Sequence, residues 1–145
     1  MTELTLEIAD HIAIGTLAAG VARKAQPLTV VVLDAGGHII VAKRADGSGI
    51  LRIEIALGKA YGALGFGLPS RTLNKRAADN PNFFTAVAAA SGGRVVPNAG
   101  GVLLRNSRGH VVGAVGVSGD TPDMDEDCAL DGIEGCGLTA DAGRS

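Results

Sequence analysis

The sequence is poor in aromatic residues and lacks tryptophan altogether. Among its 145 residues there are only one tyrosine and three phenylalanines. So few rings leave little surface on which unpaired nucleobases could stack. A formal net charge of −2 and a pI near 5.9 also provide no basic footprint for DNA or RNA. We therefore expect no nucleic-acid partner.

Cysteine and long apolar runs are scarce as well. Cys128 and Cys136 are too few for a disulfide framework. On a predicted helix their spacing spans about 12 Å, beyond disulfide reach, so we expect reduced, buried thiols. No run approaches the ~18 apolar residues of a membrane span, and residues 1–7 do not resemble a signal peptide. These absences predict a cytoplasmic protein with no membrane contact.

What is present is an alternation of helical and strand-like segments separated by glycine-rich turns. It predicts an α/β (α+β) fold in which two hairpins form one antiparallel sheet flanked by helices. We expect one domain with its core over residues 4–138 and a frayed tail over 139–145. The predicted helices cover 5–24, 50–66, 70–79, 82–90 and 121–138, and the predicted strands cover 28–33, 38–42, 101–105 and 110–117.

The first helix has a clear start and an apolar stripe. Thr5 or Thr2 can cap its N-terminus. Apolar side chains recur at helical spacing and are predicted to face the core. They are Leu6, Ala9, Ala13, Leu17 and Val21.

The most distinctive local feature is the corner at residues 112–119 (VGAVGVSG), which precedes an acidic helix. Gly113 and Gly116 lie within a predicted strand, where a missing side chain lets another backbone come close. Ser118, Gly119 and Asp120 provide turn and helix-capping chemistry. The chain has no G-x-G-x-x-G between a first strand and a helix, which argues against a dinucleotide-binding fold.

Six motifs occur in an order that resembles the GlcG/HbpS-like family of haem-binding (haem-degrading domain) proteins, which is related to the C-terminal domain of PduO-type proteins. The resemblance covers about residues 4–138. The motifs are VLDAGGH at 32–38, RADG at 44–47, IALGKAY at 55–61, PSR at 69–71, NAGG at 98–101 and VGAVGVSG at 112–119.

The resemblance implies a profilin-like fold, a homo-oligomer and a small-molecule ligand, with haem as the first candidate. It points to His11 as the ligand of the haem iron, since similar proteins use a histidine of the first helix. A neutral imidazole nitrogen suits iron. The alternative is a surface pair between Glu7 and His11 one helical turn apart.

The remaining binding candidates lie on the second helix and in a glycine loop. Lys59 could face a haem propionate or another carboxylate, and Tyr61 could bond a ligand or the iron. The loop of Asn98, Gly100 and Gly101 could bind an anion through backbone N–H groups. The alternatives are a solvated lysine stem, a packed tyrosine ring and an ordinary turn.

Other polar groups are explained without a ligand. His38 and His110 each follow a turn glycine at the start of a returning strand, and no Cys/His cluster resembles a zinc site. Ser118 lacks the surroundings of a hydrolase nucleophile. Negative charge is favourable in the first turn of a helix, which accounts for Asp123, Asp125, Glu126 and Asp127 without a metal ion.

Three functions remain open on this basis. The first is a haem-associated small-ligand-binding protein with a hollow near residues 11, 59 and 98. The second is an enzyme acting on a small organic acid or aromatic catabolite. In that enzyme Lys59 or Arg44 would hold a carboxylate, and Glu54 or Asp46 would be the base. The third is an oligomeric accessory protein whose subunits meet at closely packed helices carrying Gly58, Gly62 and Gly65.

Overall fold

A computed structural model describes residues 2–144. The chain forms a central antiparallel sheet flanked by helices, which confirms the predicted α+β, profilin-like class. None of the helices within residues 2–144 is long and apolar enough to cross a membrane. The elements are α1 (Leu6–Ala22), β1 (Thr29–Asp34), β2 (Ile39–Arg44), α2 (Arg52–Phe66), α3 (Ser70–Asp79), α4 (Pro81–Ala90), β3 (Gly101–Arg105), β4 (Val111–Ser118), α5 (Pro122–Ile133) and β5 (Thr139–Asp141).

Both predicted hairpins belong to one sheet, as expected. The strand order is β2-β1-β4-β3-β5, and the hairpins meet where β1 pairs antiparallel with β4, with Val31 opposite Gly116. Side chains alternate between the two faces of a strand. Because both faces of β1 are covered, its residues from Thr29 to Leu33 are all buried.

Helices cover the two faces of the sheet unequally. On one face, α1 and α5 pack against Val30, Val32 and neighbouring side chains. On the other face, α2 packs through three alanines against Val31 and Leu33. The sheet therefore separates any side chain on α1 from any side chain on the sheet-facing side of α2.

Two glycines let these layers come unusually close. A Cβ on Gly116 of β4 would overlap the carbonyl oxygen of Ala56 in α2, which confirms the predicted close approach at this strand. A Cβ on Gly132 of α5 would lie 2.6 Å from the carbonyl oxygen of Ile12 in α1. Both contacts are backbone to backbone, so a side chain at either position requires the layers to separate.

The predicted core face of α1 is partly wrong. Ala9 and Ala13 are buried, but Leu6 and Val21 are exposed. The buried side of the helix is instead made largely of small residues, because α1 approaches α5 too closely for large ones. The fully buried members include Ile12 and Thr16.

The C-terminal prediction is also corrected. Helix α5 ends at Ile133, before the predicted Leu138, because Gly135 and Gly137 adopt positive φ values of 78° and 91°. Residues 139–141 form strand β5 along the edge of β3, so this part of the expected frayed tail is ordered. Thr121 caps α5 through a 3.2 Å bond from the Met124 N–H to its Oγ1.

Two glycines of α2 make room for neighbouring residues of the same chain. A Cβ on Gly58 would lie 2.5 Å from Val96 Cγ2, and one on Gly62 would lie 2.9 Å from Val95 Cγ1. Gly65 has nothing within 4 Å. The expectation that Gly58 and Gly62 form contacts between subunits is therefore wrong, since the segment at residues 95–96 occupies that groove.

Gly132 and Gly65 make a matched pair, since each precedes the last residue of its helix. Gly132→Ala should lower the free energy of unfolding by about 1–3 kcal/mol because it overpacks the contact between α1 and α5. Gly65→Ala should raise it by about 0.5–1 kcal/mol because alanine favours a helix. Urea unfolding measures both values. Changes of the same sign would contradict the packing described here.

The two thiols are free, with Cys128 buried and Cys136 partly exposed. Burial raises the pKa of the Cys128 thiol to about 11, so it stays protonated and unreactive at pH 8. Iodoacetamide at pH 8 should alkylate Cys136 and spare Cys128 until the protein is unfolded in urea. Mass spectrometry would contradict this if both thiols reacted equally in the folded protein.

Candidate functional site

The sheet divides the predicted site residues into two groups. His11 lies on α1 and Tyr61 on α2, and these helices cover opposite faces. A single hollow joining residues 11, 59 and 98, as expected from the sequence, is therefore wrong for one chain.

Lys59 forms a buried ion pair. Its side chain is 3% exposed and that of Asp125 is 1% exposed. The Nζ donates to Asp125 Oδ2 at 3.1 Å and to the Val117 carbonyl oxygen at 2.9 Å. Burial lowers the pKa of the Lys59 ammonium, and the Asp125 carboxylate opposes that change. Lys59 therefore holds α2, β4 and α5 together. The prediction that it faces a ligand carboxylate is wrong, because its ammonium already pairs with Asp125.

The glycine loop is packed against the same lysine. A Cβ on Gly100, whose φ is +122°, would lie 2.9 Å from Lys59 Nζ. The Gly101 N–H donates to Ser70 Oγ at 2.7 Å, and the Gly100 carbonyl accepts from Val117 N–H at 3.0 Å. Since the Gly101 N–H is already bonded and Gly100 has a positive φ, this loop fits the alternative interpretation of an ordinary turn.

Asn98 lies apart from those glycines, on a polar cavity of about 260 Å³ between α3 and the start of α5. Two cations line it: Lys75 is exposed, and Arg71 is held by Glu126 through Nε at 3.1 Å and by Asp123. The guanidinium lowers the pKa of the Asp123 carboxyl through that hydrogen bond. The cavity is lined by Arg71, Asn74, Lys75, Asn98, Ala99, Thr121, Pro122 and Asp123.

The acidic stretch of α5 is an ion-pair network. Glu126 is fully buried and accepts bonds from Arg71 and from Arg144. Asp127 accepts from Arg144 at 2.6 Å. No group of three or more His, Cys, Asp or Glu side chains within residues 2–144 could hold a metal ion. The charges anchor the C-terminal segment to the helix.

Tyr61 packs its ring against the first hairpin turn. The ring lines a hollow of about 150 Å³ with Gly36 and Gly37, and the Arg94 guanidinium carbon lies 4.6 Å from its centroid. This cation–π contact covers one face of the ring. Beside it, the exposed His38 Nδ1 lies 3.3 Å from Asp34 Oδ1, consistent with the predicted turn role of that histidine.

His11 is exposed on the outer flank of α1. Among the ion pairs and side-chain hydrogen bonds of residues 2–144, none joins it to Glu7, so the alternative surface pair does not form. The same side of α1 carries two large apolar side chains that stay in solvent: Ile14 is 54% exposed and Val21 81%. His11 is therefore a free imidazole beside an uncovered apolar stripe.

The residues proposed for catalysis do not converge. Glu54 is exposed on α2, whereas Lys59 is buried in its ion pair. Arg44 and Asp46 are both exposed near the end of β2. Among the ion pairs and side-chain hydrogen bonds of residues 2–144, none joins Glu54 or Asp46 to Lys59 or Arg44.

Sequence reasoning missed the partners that occupy Lys59 and the glycine loop. In the sequence alone, Asp125 is explained as a helix N-terminal charge and Ser70 as the start of a helix. One signal was available: a single lysine inside the apolar, glycine-containing run IALGKAY predicts burial and so requires a buried carboxylate.

Comparison with known proteins gives a family match and a shared fold. A family model described as haem degrading protein, HbpS-like, matches residues 4–134. HbpS is similar at 30% identity, with a TM-score of 0.76 over 91% of this chain and 89% of that chain. A PduOC–haem complex has a TM-score of 0.86 at 21% identity, covering 97% and 99%. Klebsiella pneumoniae protein ORFY has a TM-score of 0.81 at 22% identity, covering 94% and 92%. No curated protein sequence matches.

The buried pair can be tested by removing its charges in turn. Lys59→Met leaves the Asp125 carboxylate buried without a counter-charge and should cost about 3–5 kcal/mol of unfolding free energy. Adding Asp125→Asn should recover part of that loss, because the amide oxygen is neutral and can still accept the Asp120 N–H. Urea unfolding of both variants measures the coupling. A double variant no more stable than Lys59→Met would contradict it.

Proposed function

This chain belongs to the HbpS-like family of haem-degrading proteins, and we propose that it is a haem-associated small-ligand-binding protein. The observation that carries the proposal is the free imidazole of His11 beside the uncovered apolar side chains of α1. A planar, largely apolar macrocycle with a central metal needs these two features together: a nitrogen donor and an apolar surface.

His11 is the residue to which we assign the haem iron. Its ring is exposed, so it can reach a ligand without displacing any part of the core. Ile14 and Ala18 follow at i+3 and i+7, so they lie on the same side of the helix. Bound haem would supply a redox-active iron, while this chain's own residues would supply the axial nitrogen and the apolar bed.

Tyr61 is not assigned to the same iron. It lies across the sheet from α1, and its ring is already covered on one face by Arg94. Lys59, Gly100 and Gly101 have structural roles described above and are also left out. Within a single chain, the proposed haem site is thus confined to the outer face of α1.

Self-association is the second part of the proposal. Large exposed apolar side chains on several elements are more than an isolated domain needs, and such surfaces mark interaction sites. They include Leu6, Ile14, Val21, Ile39, Ile50, Leu51 and Phe83. We therefore expect a homo-oligomer. Turnover is not proposed, because Lys59 is buried in its ion pair and Glu54 is exposed on the outside of α2.

Titration of the purified protein with haemin, followed by the Soret band, tests the haem assignment. The wild type should give a saturable shift, and His11→Ala should weaken binding at least about tenfold, or 1.4 kcal/mol. Ile14→Asp should weaken it as well, because a carboxylate disfavours an apolar bed.

The chain offers matched controls for this titration. His38→Ala and His110→Ala remove exposed turn histidines of the two hairpins and should leave the shift unchanged, as should Tyr61→Phe. Circular dichroism establishes that each variant is folded. A wild type without a saturable shift would overturn haem binding, whereas a shift insensitive to His11→Ala would overturn the assigned ligand.

A further inference from the structure

Helix α4 stands out because most of an apolar helix lies in solvent. Its sequence, PNFFTAVAAA, contains no charged residue, yet Phe84 is its only buried side chain. Phe83 is 48% exposed, and Ala86, Ala89 and Ala90 are exposed as well. A ten-residue helix is too short to be stable in water by itself.

Three rings attach α4 to the rest of the chain. Phe84 stacks on Phe66 of α2 with centroids 5.5 Å apart, and Phe83 meets Phe66 edge-on at 6.4 Å. Phe84 lies on the inner side of α4, whereas Phe83 lies at its edge and keeps much of its ring in solvent. The outer side of α4 presents Phe83, Ala86 and Ala90, which recur at i, i+3 and i+7 and so form one stripe.

The stripe suits a closely packed helix partner. Alanine side chains let two helix axes approach to the short end of the usual 8–10 Å range, and Phe83 supplies an aromatic anchor of the kind enriched in interface cores. From Phe83 to Ala90 the stripe is about 10 Å long at roughly 1.5 Å per residue. A stripe this short is smaller than a standard stable interface, so we expect a contact that dissociates on dilution.

Charge at the ends of α4 indicates which partner fits. Residues 80–93 carry no charge, Asp79 precedes them and Arg94 follows them. Two such helices packed antiparallel bring Asp79 of each copy beside Arg94 of the other. A parallel pair would bring like charges together, which is unfavourable. The α4 surface is therefore complementary to a second, antiparallel copy of itself, as in a two-fold symmetric contact.

Arg94 is suitably placed for that role. Its guanidinium stacks on Tyr61, and only its Nε takes part in the hydrogen bonds of residues 2–144, donating to the Ser91 carbonyl at 2.7 Å. The ring thus fixes the guanidinium while its two terminal nitrogens stay available to a carboxylate.

From this arrangement we infer that α4 is the contact surface for a second copy of this chain, packed antiparallel about a two-fold axis near Ala86. The inference rests on the self-association proposed above and specifies where the copies meet. It is independent of haem binding at His11.

A charge exchange tests the orientation. Asp79→Arg and Arg94→Asp should each weaken self-association about tenfold or more, measured by light scattering over a dilution series. The double variant should restore the wild-type value, because the opposite charges meet again. Arg108→Asp, on an exposed hairpin turn, is the control and should change nothing. A double variant weaker than both single variants would overturn the antiparallel arrangement.

A symmetric disulfide tests the position of the axis and works even where other contacts hold copies together. In a Cys136→Ser background, Ala86→Cys should form a covalent dimer under mild oxidation, because the two equivalent residues face each other at the axis. Asn82→Cys, on the same exposed side but one turn away, should not, since its copies would lie about 12 Å apart.

The outcomes separate the two proposals. A protein monomeric at all concentrations would overturn both self-association and the α4 contact, and haem binding would be judged by its own titration. An oligomer in which Ala86→Cys forms no disulfide would overturn the α4 contact alone. A disulfide at Ala86 with none at Asn82 would support the contact.

Discussion

The ion pair between Lys59 and Asp125 ties together helices from the two sides of the sheet. Lys59 comes from α2 and Asp125 from α5, and the lysine also bonds the end of β4 through the Val117 carbonyl. Buried charges are costly unless they are paired and hydrogen-bonded. Asp125 meets this requirement by accepting the Asp120 N–H as well. The corner between β4 and α5 is thereby fixed, and with it the position of the glycine loop that packs on Lys59.

Around this pair the layers are thin, because glycine and alanine occupy the places where elements cross. Gly116 lets α2 approach β4, and Gly132 lets α5 approach α1. Such packing leaves little room inside a single chain for a large ligand. The surfaces that we propose for binding therefore lie on the outside of the chain: α1 with His11 and its exposed apolar side chains, and α4 with its uncharged apolar side.

Much of the fold could be predicted from the sequence, and the reason is local. The hairpins have β-branched strands and turns ending in glycine and histidine, so their pairing follows from short-range chemistry, as β1 and β2 show. The core face of α1 could not be predicted from apolar periodicity, because it is decided by how closely Gly132 lets α5 approach. The partners of the candidate site residues were harder to predict than the fold. Lys59 and Asp125 are 66 residues apart, and no spacing rule joins them.

Strand β5 and Arg144 lie later in the chain than every element they contact. β5 completes the edge of β3, and Arg144 supplies a cation to the buried Glu126. During synthesis, which proceeds from the N-terminus, the outer backbone groups of β3 remain open and Glu126 has only Arg71 until residues 139–144 leave the ribosome. The β3–β5 pairing and the Glu126–Arg144 ion pair therefore form only after residues 139–144 have been translated. A nascent chain paused before that point exposes the edge of β3, which can pair with a strand of another chain.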